Sequence, residues 1–100
     1  MGGYTLSGMK TFPATRIATK VRAIRNQRGL TQSHLGALIG LGDVSVTNIE
    51  KGRTGLSLQA AYRMELALGL KPGEIAELVN QVEHEAAQNF LKNSKLTLRK

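Results

Sequence analysis

The chain has 100 residues, 41% of them hydrophobic, and carries a net charge of +7. That length allows one compact domain with a modest core, and the absence of cysteine excludes disulfides, thiol catalysis and cysteine-ligated zinc. No apolar run approaches the roughly 20 residues a membrane span needs, and no basic segment followed by an apolar one opens the chain, so a cytoplasmic protein is expected.

Residues 1–12, MGGYTLSGMKTF, hold three glycines and no helical period, which predicts a flexible arm. Pro13 suits the first turn of a helix, and Ile17, Val21 and Ile24 repeat at four and three, so a first helix is expected to about Arg28, closed by Gly29. Thr31 is a plausible N-cap for a second helix reaching about Ile39. His34 stands where a capping box would have Glu or Gln. Gly40, Leu41 and Gly42 form a turn, Gly42 caps a third helix of about nine residues, and Gly52 stops it. Ser57 can cap a fourth helix with an apolar stripe of Leu58, Ala61, Met64, Ala67 and Leu68, ended by Gly69. Pro72 is expected to start a fifth, with Glu74 and Glu77 near its N-terminus and Ile75, Leu78, Val79, Val82, Ala86 and Phe90 along one face. That face outruns a core of this size, so Val79, Val82, Ala86 and Phe90 are the expected dimer contacts, with packing onto helix 1 as the alternative. The tail alternates Leu96 and Leu98 with Lys95, Thr97 and Arg99, a weak strand pattern that disorder fits equally well, or that pairs with Tyr4 to Leu6 of another subunit.

Charge falls into three blocks. Residues 1–63 carry +7, residues 64–91 carry −4, and the last nine carry +4. The basic block holds Arg16, Lys20, Arg22, Arg25 and Arg28 in helix 1, beside the two short helices meeting at Gly40 to Gly42, which have helix-turn-helix punctuation. On the second of these, Val46, Ile49 and Glu50 share one side, which leaves Asp43, Val44, Thr47, Asn48 and Lys51 on the other, a free polar face suited to a DNA groove.

From about Ile17 to Leu78 the pattern resembles the lambda-repressor and Cro-like, or xenobiotic-response-element, helix-turn-helix family. The matching residues are Arg25, the GLTQ run from Gly29 to Gln32, Leu35, Gly40, Val46, Ile49, Glu50, Gly52, and the apolar positions Leu58, Met64, Leu68, Leu70 and Ile75. The resemblance implies an all-α, five-helix domain over residues 13–80. A helix extension follows over 81–92, the expected dimerisation segment, and a basic tail over 93–100. It also implies that helix 3 lies in the major groove while helix 2 crosses the backbone. Two residues depart from the pattern. Gly36 replaces the usual alanine between helices 2 and 3, at about 0.5 to 1 kcal/mol of helix stability. Glu65 takes a position usually small and apolar, so a cationic partner or a rotated helix 4 is expected.

The family's base-reading positions fall on Asp43, Val44, Thr47 and Asn48. Asn48 suits adenine and Val44 a thymine methyl, while Asp43 is either a cytosine acceptor or a first-turn acid favoured by the helix dipole. Phosphate contacts are expected from Gln32, Ser45, Lys51, Arg53 and Thr54, with Arg25 a further candidate. In the family the equivalents of Arg25 and Glu50 form a partly buried salt bridge. His34 and His84 lack neighbours at ligand spacing, and no catalytic constellation is visible, so neither a metal, a cofactor nor an enzyme is expected. The expected function is a bacterial or phage-type transcriptional regulator, a repressor that binds an inverted-repeat operator in double-stranded DNA as a homodimer. The alternative is an antitoxin-like protein that binds a partner polypeptide through its C-terminal region and autoregulates its operon.

Overall fold

The computed structural model describes residues 13–93, which form five helices: α1 (Pro13–Gln27), α2 (Gln32–Ile39), α3 (Asp43–Glu50), α4 (Leu58–Leu68) and α5 (Ala76–Lys92). The expected arm over 1–12 and the tail beyond Asn93 lie outside the described residues. Helix α1 packs on α3 and α5, α2 packs on α3 and α4, and α4 packs on α5. Between them Ile17, Val21, Leu35, Ile39, Met64 and Ile75 lose nearly all contact with solvent.

Each short helix is bounded by local chemistry. The Thr31 hydroxyl accepts from the His34 amide, so the incomplete capping box still satisfies one orphan donor of α2. Gly40 ends α2 in the left-handed region at φ 78°, and Gly42 opens α3 with no side-chain cap. At Gly36 an added Cβ would stand inside the van der Waals envelope of the Leu41 carbonyl oxygen and 3.3 Å from Val46 Cγ2. The turn is therefore tighter than the family's usual alanine would permit.

Three expectations need correction. The buried side of α4 is Ala60, Ala61, Met64 and Glu65, with Leu58 and Ala67 exposed and Leu68 partly covered, so the helix is rotated from the stripe read in the sequence. Glu65 lies on that buried side: its carboxylate accepts from the amides of Gly73 at 3.0 Å and of Ile75 and Ala76 at 2.8 Å each, and among the described residues it has no cationic partner. It thereby caps α5 from a neighbouring helix, which is why α5 needs no side-chain cap of its own. Second, α5 begins at Ala76 and not at Pro72, because Gly73 adopts φ 87° and breaks the helical path. Third, Val79 and Val82, expected at a dimer face, are buried in this chain's own core, where α5 packs on α1. Ion pairs fasten both that contact and the turn leading into it, Arg16 to Glu85 of α5 at 2.7 Å and Lys20 to Glu74 before α5 at 3.0 Å. From Glu83 onward every described residue of α5 is exposed, Ala86 and Phe90 included.

Candidate nucleic-acid interface

The inner side of α3 is anchored by Val46, Ile49 and Glu50, all buried, which turns its outer side to solvent. At 3.6 residues per turn, Val44, Lys51 and Asn48 point most directly outward, Thr47 and Asp43 lean toward α2, and Ser45 leans toward the loop after α3. Val44 keeps 71% of its surface exposed. Asp43, Ser45, Lys51, Arg53 and Thr54 are also exposed, while Thr47 and Asn48 are half-buried.

Behind that face runs one connected polar network. Arg25 Nε donates to Glu50 Oε2 at 2.6 Å and its Nη2 to Oε1 at 3.0 Å, a two-point pair that ties α1 to α3. Arg25 Nη1 also donates to the Leu30 carbonyl at 2.8 Å. Gln32 Nε2 donates to the same Glu50 Oε1 at 3.1 Å, and the Thr47 hydroxyl donates to Gln32 Oε1 at 2.8 Å. Burial alone would raise the pKa of the Glu50 carboxyl, but the hydrogen bonds from Arg25 and Gln32, with the Arg25 and Arg22 charges, outweigh it and hold it below the usual carboxylate range. The Glu50 hydrogen bond in turn raises Arg25 above its ordinary value. Arg25, expected also at a phosphate, thus spends three donors inside the fold.

The same holds along the rest of basic α1. Arg22 Nη1 donates to the Glu50 carbonyl at the C-terminus of α3 at 2.7 Å, and Arg28 Nη1 to the Leu68 carbonyl at the C-terminus of α4 at 2.6 Å. From α4, Arg63 Nη1 reaches the Ile39 carbonyl that ends α2 at 3.2 Å. Three arginines therefore neutralise the negative ends of three helices, a role that a count of charge along the sequence does not reveal. Helical spacing alone carried no signal for it, since each partner carbonyl lies 24 to 40 residues away. Lys51 and Arg53 sit beside α3 instead, Arg53 in loose contact with Asn48 Oδ1 at 3.4 Å. Ser45, Asn48 and Thr54 border a cleft beside α3 together with Leu41, Ile49, Gly55 and Ser57. His34 and His84 are both exposed, and the described residues contain no group of acids and histidines able to hold a metal. No helix among them is long and apolar enough to cross a membrane.

Two short helices crossing at a glycine turn, the second locked inside and open outside, define a helix-turn-helix protein. The chain belongs to the lambda-repressor and Cro-like helix-turn-helix family, whose model matches residues 21–75. Antitoxin HipB of Escherichia coli O6:H1 (strain CFT073) is similar to it, 29% identical over 65 residues that cover 65% of this chain and 69% of that protein. No solved structure matches the chain.

Proposed function

We propose that this protein is a sequence-specific transcriptional regulator that acts in the cytoplasm as a repressor and binds an inverted-repeat operator as a dimer. The observation that carries the proposal is the outer face of α3, where Val44, Asp43 and Lys51 stand exposed on a helix whose inner face is clamped by Arg25 and Glu50. In this reading Asp43, Val44, Thr47 and Asn48 meet base edges, while Ser45, Lys51, Arg53, Thr54 and the N-terminus of α2 at Gln32 meet phosphates. Arg25 acts as a clamp and not as a phosphate ligand. Selection from a random duplex pool should enrich two half-sites in inverted orientation, centred about one helical turn, roughly 34 Å, apart. Enrichment of a single unrepeated site would sink the dimeric operator.

The dimer contact in this reading is the part of α5 beyond Val82, where Ala86 and Phe90 lie on one face and Phe90 is 73% exposed. A helix projecting from a core is marginal in water unless that face is covered. Light scattering should find a dimer for the full chain and a monomer for Phe90→Ser; a persisting dimer would move the interface elsewhere.

The likeness to an antitoxin favours a second reading, in which the same end of α5 holds a partner polypeptide while the helix-turn-helix regulates its own promoter. Coexpression with the product of the adjacent gene should then give a complex that Phe90→Ser disrupts.

A further inference from the structure

The polar network behind α3 has a direction. Glu50 is ionised, because Arg25 pairs with both of its oxygens, so it only accepts hydrogen bonds. Gln32, 3.1 Å from Glu50 Oε1, must therefore turn its NH₂ toward the carboxylate, and its carbonyl oxygen must face the other way. That oxygen meets the Thr47 hydroxyl at 2.8 Å, where two acceptors would repel, so the single hydroxyl hydrogen of Thr47 is committed to Gln32. This orientation follows from the charge on Glu50 and is independent of how amide atoms are assigned. A free threonine hydroxyl in a helix rotates between donor and acceptor roles. Here only the lone pairs of Thr47 Oγ1 remain to be offered outward.

We infer that Thr47 is a specificity-determining residue with fixed polarity: through Gln32, the Arg25 and Glu50 pair makes its hydroxyl an obligate acceptor, which selects a base presenting an exocyclic amino group in the major groove. Those groups are N6 of adenine and N4 of cytosine; guanine O6 and N7 and thymine O4 present acceptors that this oxygen repels. The inference rests on the DNA-binding reading above and adds the chemical class of base at one position. Gln32 and Glu50 are positioning residues here, acting on the base through Thr47.

The test begins with duplexes selected from a random pool by the full chain, and locates the base pair whose preference changes in Thr47→Val. At that pair the amino group is removed, with purine in place of adenine or pyrimidin-2-one in place of cytosine, and affinity is measured for the unaltered protein and for Thr47→Val. The expected result is a loss of about three- to tenfold that depends on the Thr47 hydroxyl, the range of one net hydrogen bond. Gln32→Ala, checked for unchanged circular dichroism, frees the hydroxyl to donate and should bring discrimination between that pair and its reversal close to one. A hydroxyl-dependent loss that instead follows removal of purine N7, or of the thymine methyl, overturns the inference and leaves DNA binding intact. Discrimination that survives in folded Gln32→Ala overturns it equally, as does a Thr47→Val protein with unaltered preferences. A pool that yields no enriched sequence removes the DNA reading and this inference together.

Discussion

Arg25 and Glu50 show what one residue pair contributes. Glu50 keeps 4% side-chain exposure and Arg25 16%, so truncating the arginine strands a carboxylate that is almost wholly out of water. Removing one partner of a fully buried pair costs roughly 3 to 5 kcal/mol; with Arg25 partly wet and Gln32 still donating, Arg25→Ala should cost about 3 kcal/mol in urea unfolding. A loss under about 1 kcal/mol would mean that water replaces the guanidinium. Glu65 makes the complementary case, held by backbone amides. Its carboxyl is held below the usual range first by the Ala76 amide and then by that of Gly73, which together with a weaker contribution from Ile75 outweigh the opposing effect of burial. Because the folded forms of Glu50 and Glu65 bind protons less readily than the unfolded chain, the unfolded state takes up more protons as acid is added. Their stabilisation is complete above the unfolded glutamate value of about 4.3 and disappears as pH falls through the folded values. The melting temperature should therefore be level from neutral pH to about 5 and drop below it, and Glu65→Gln should shallow that acid slope. An unchanged slope would show that Glu65 titrates alike in both states.

The elements divide by how far away their determinants lie. The α2 and α3 boundaries were legible because the signals are local: Thr31 and Gly42 before them, Gly40 and Gly52 after, and apolar spacing between. The start of α5 was not, since a proline and two early glutamates pointed to residue 72, whereas the acceptor that organises its first turn is Glu65, from α4. For the same reason apolar spacing misplaces part of the buried side of α4: it counts Leu58 and Ala67 as inside, and nothing in the chain around Glu65 announces three waiting amides. Gly36 gives the element-scale prediction. Alanine there would improve the propensity of α2 by up to about 1 kcal/mol, yet its methyl would press on the Leu41 carbonyl, a backbone atom that cannot rotate away. Overpacking of this kind costs about 1 to 3 kcal/mol, so Gly36→Ala should lower the urea midpoint of unfolding. A higher midpoint would show that the turn relaxes at little cost.

Over the whole molecule, the question is what the net charge of +7 is for. Read along the chain, five cations in α1 form one basic run beside the helix-turn-helix, and the fold gives each of them a partner. Arg16 holds Glu85 of α5, Lys20 holds Glu74 in the turn before α5, Arg25 holds Glu50, and Arg22 and Arg28 close the ends of α3 and α4. Such contacts do not prevent an exposed arginine from sensing a phosphate, but breaking them to reach DNA costs more than releasing the loose 3.4 Å contact of Arg53 with Asn48. The candidate site was legible as a face, because helical period alone isolated Asp43, Val44, Thr47, Asn48 and Lys51. Its electrostatics were not, because the helix ends that capture the arginines meet them only in three dimensions. A paired measurement separates the two roles of positive charge. Each phosphate neutralised contributes about 0.9 to the slope of log affinity against log salt, so Lys51→Ala should weaken binding to all duplexes and reduce that slope by about 1, with the urea midpoint unmoved. Arg28→Ala should do the opposite, lowering the midpoint through the uncapped Leu68 carbonyl while leaving the salt slope within error. If Arg28→Ala instead reduces the slope as Lys51→Ala does, α1 faces the phosphates directly, and its arginines serve the DNA ahead of the fold.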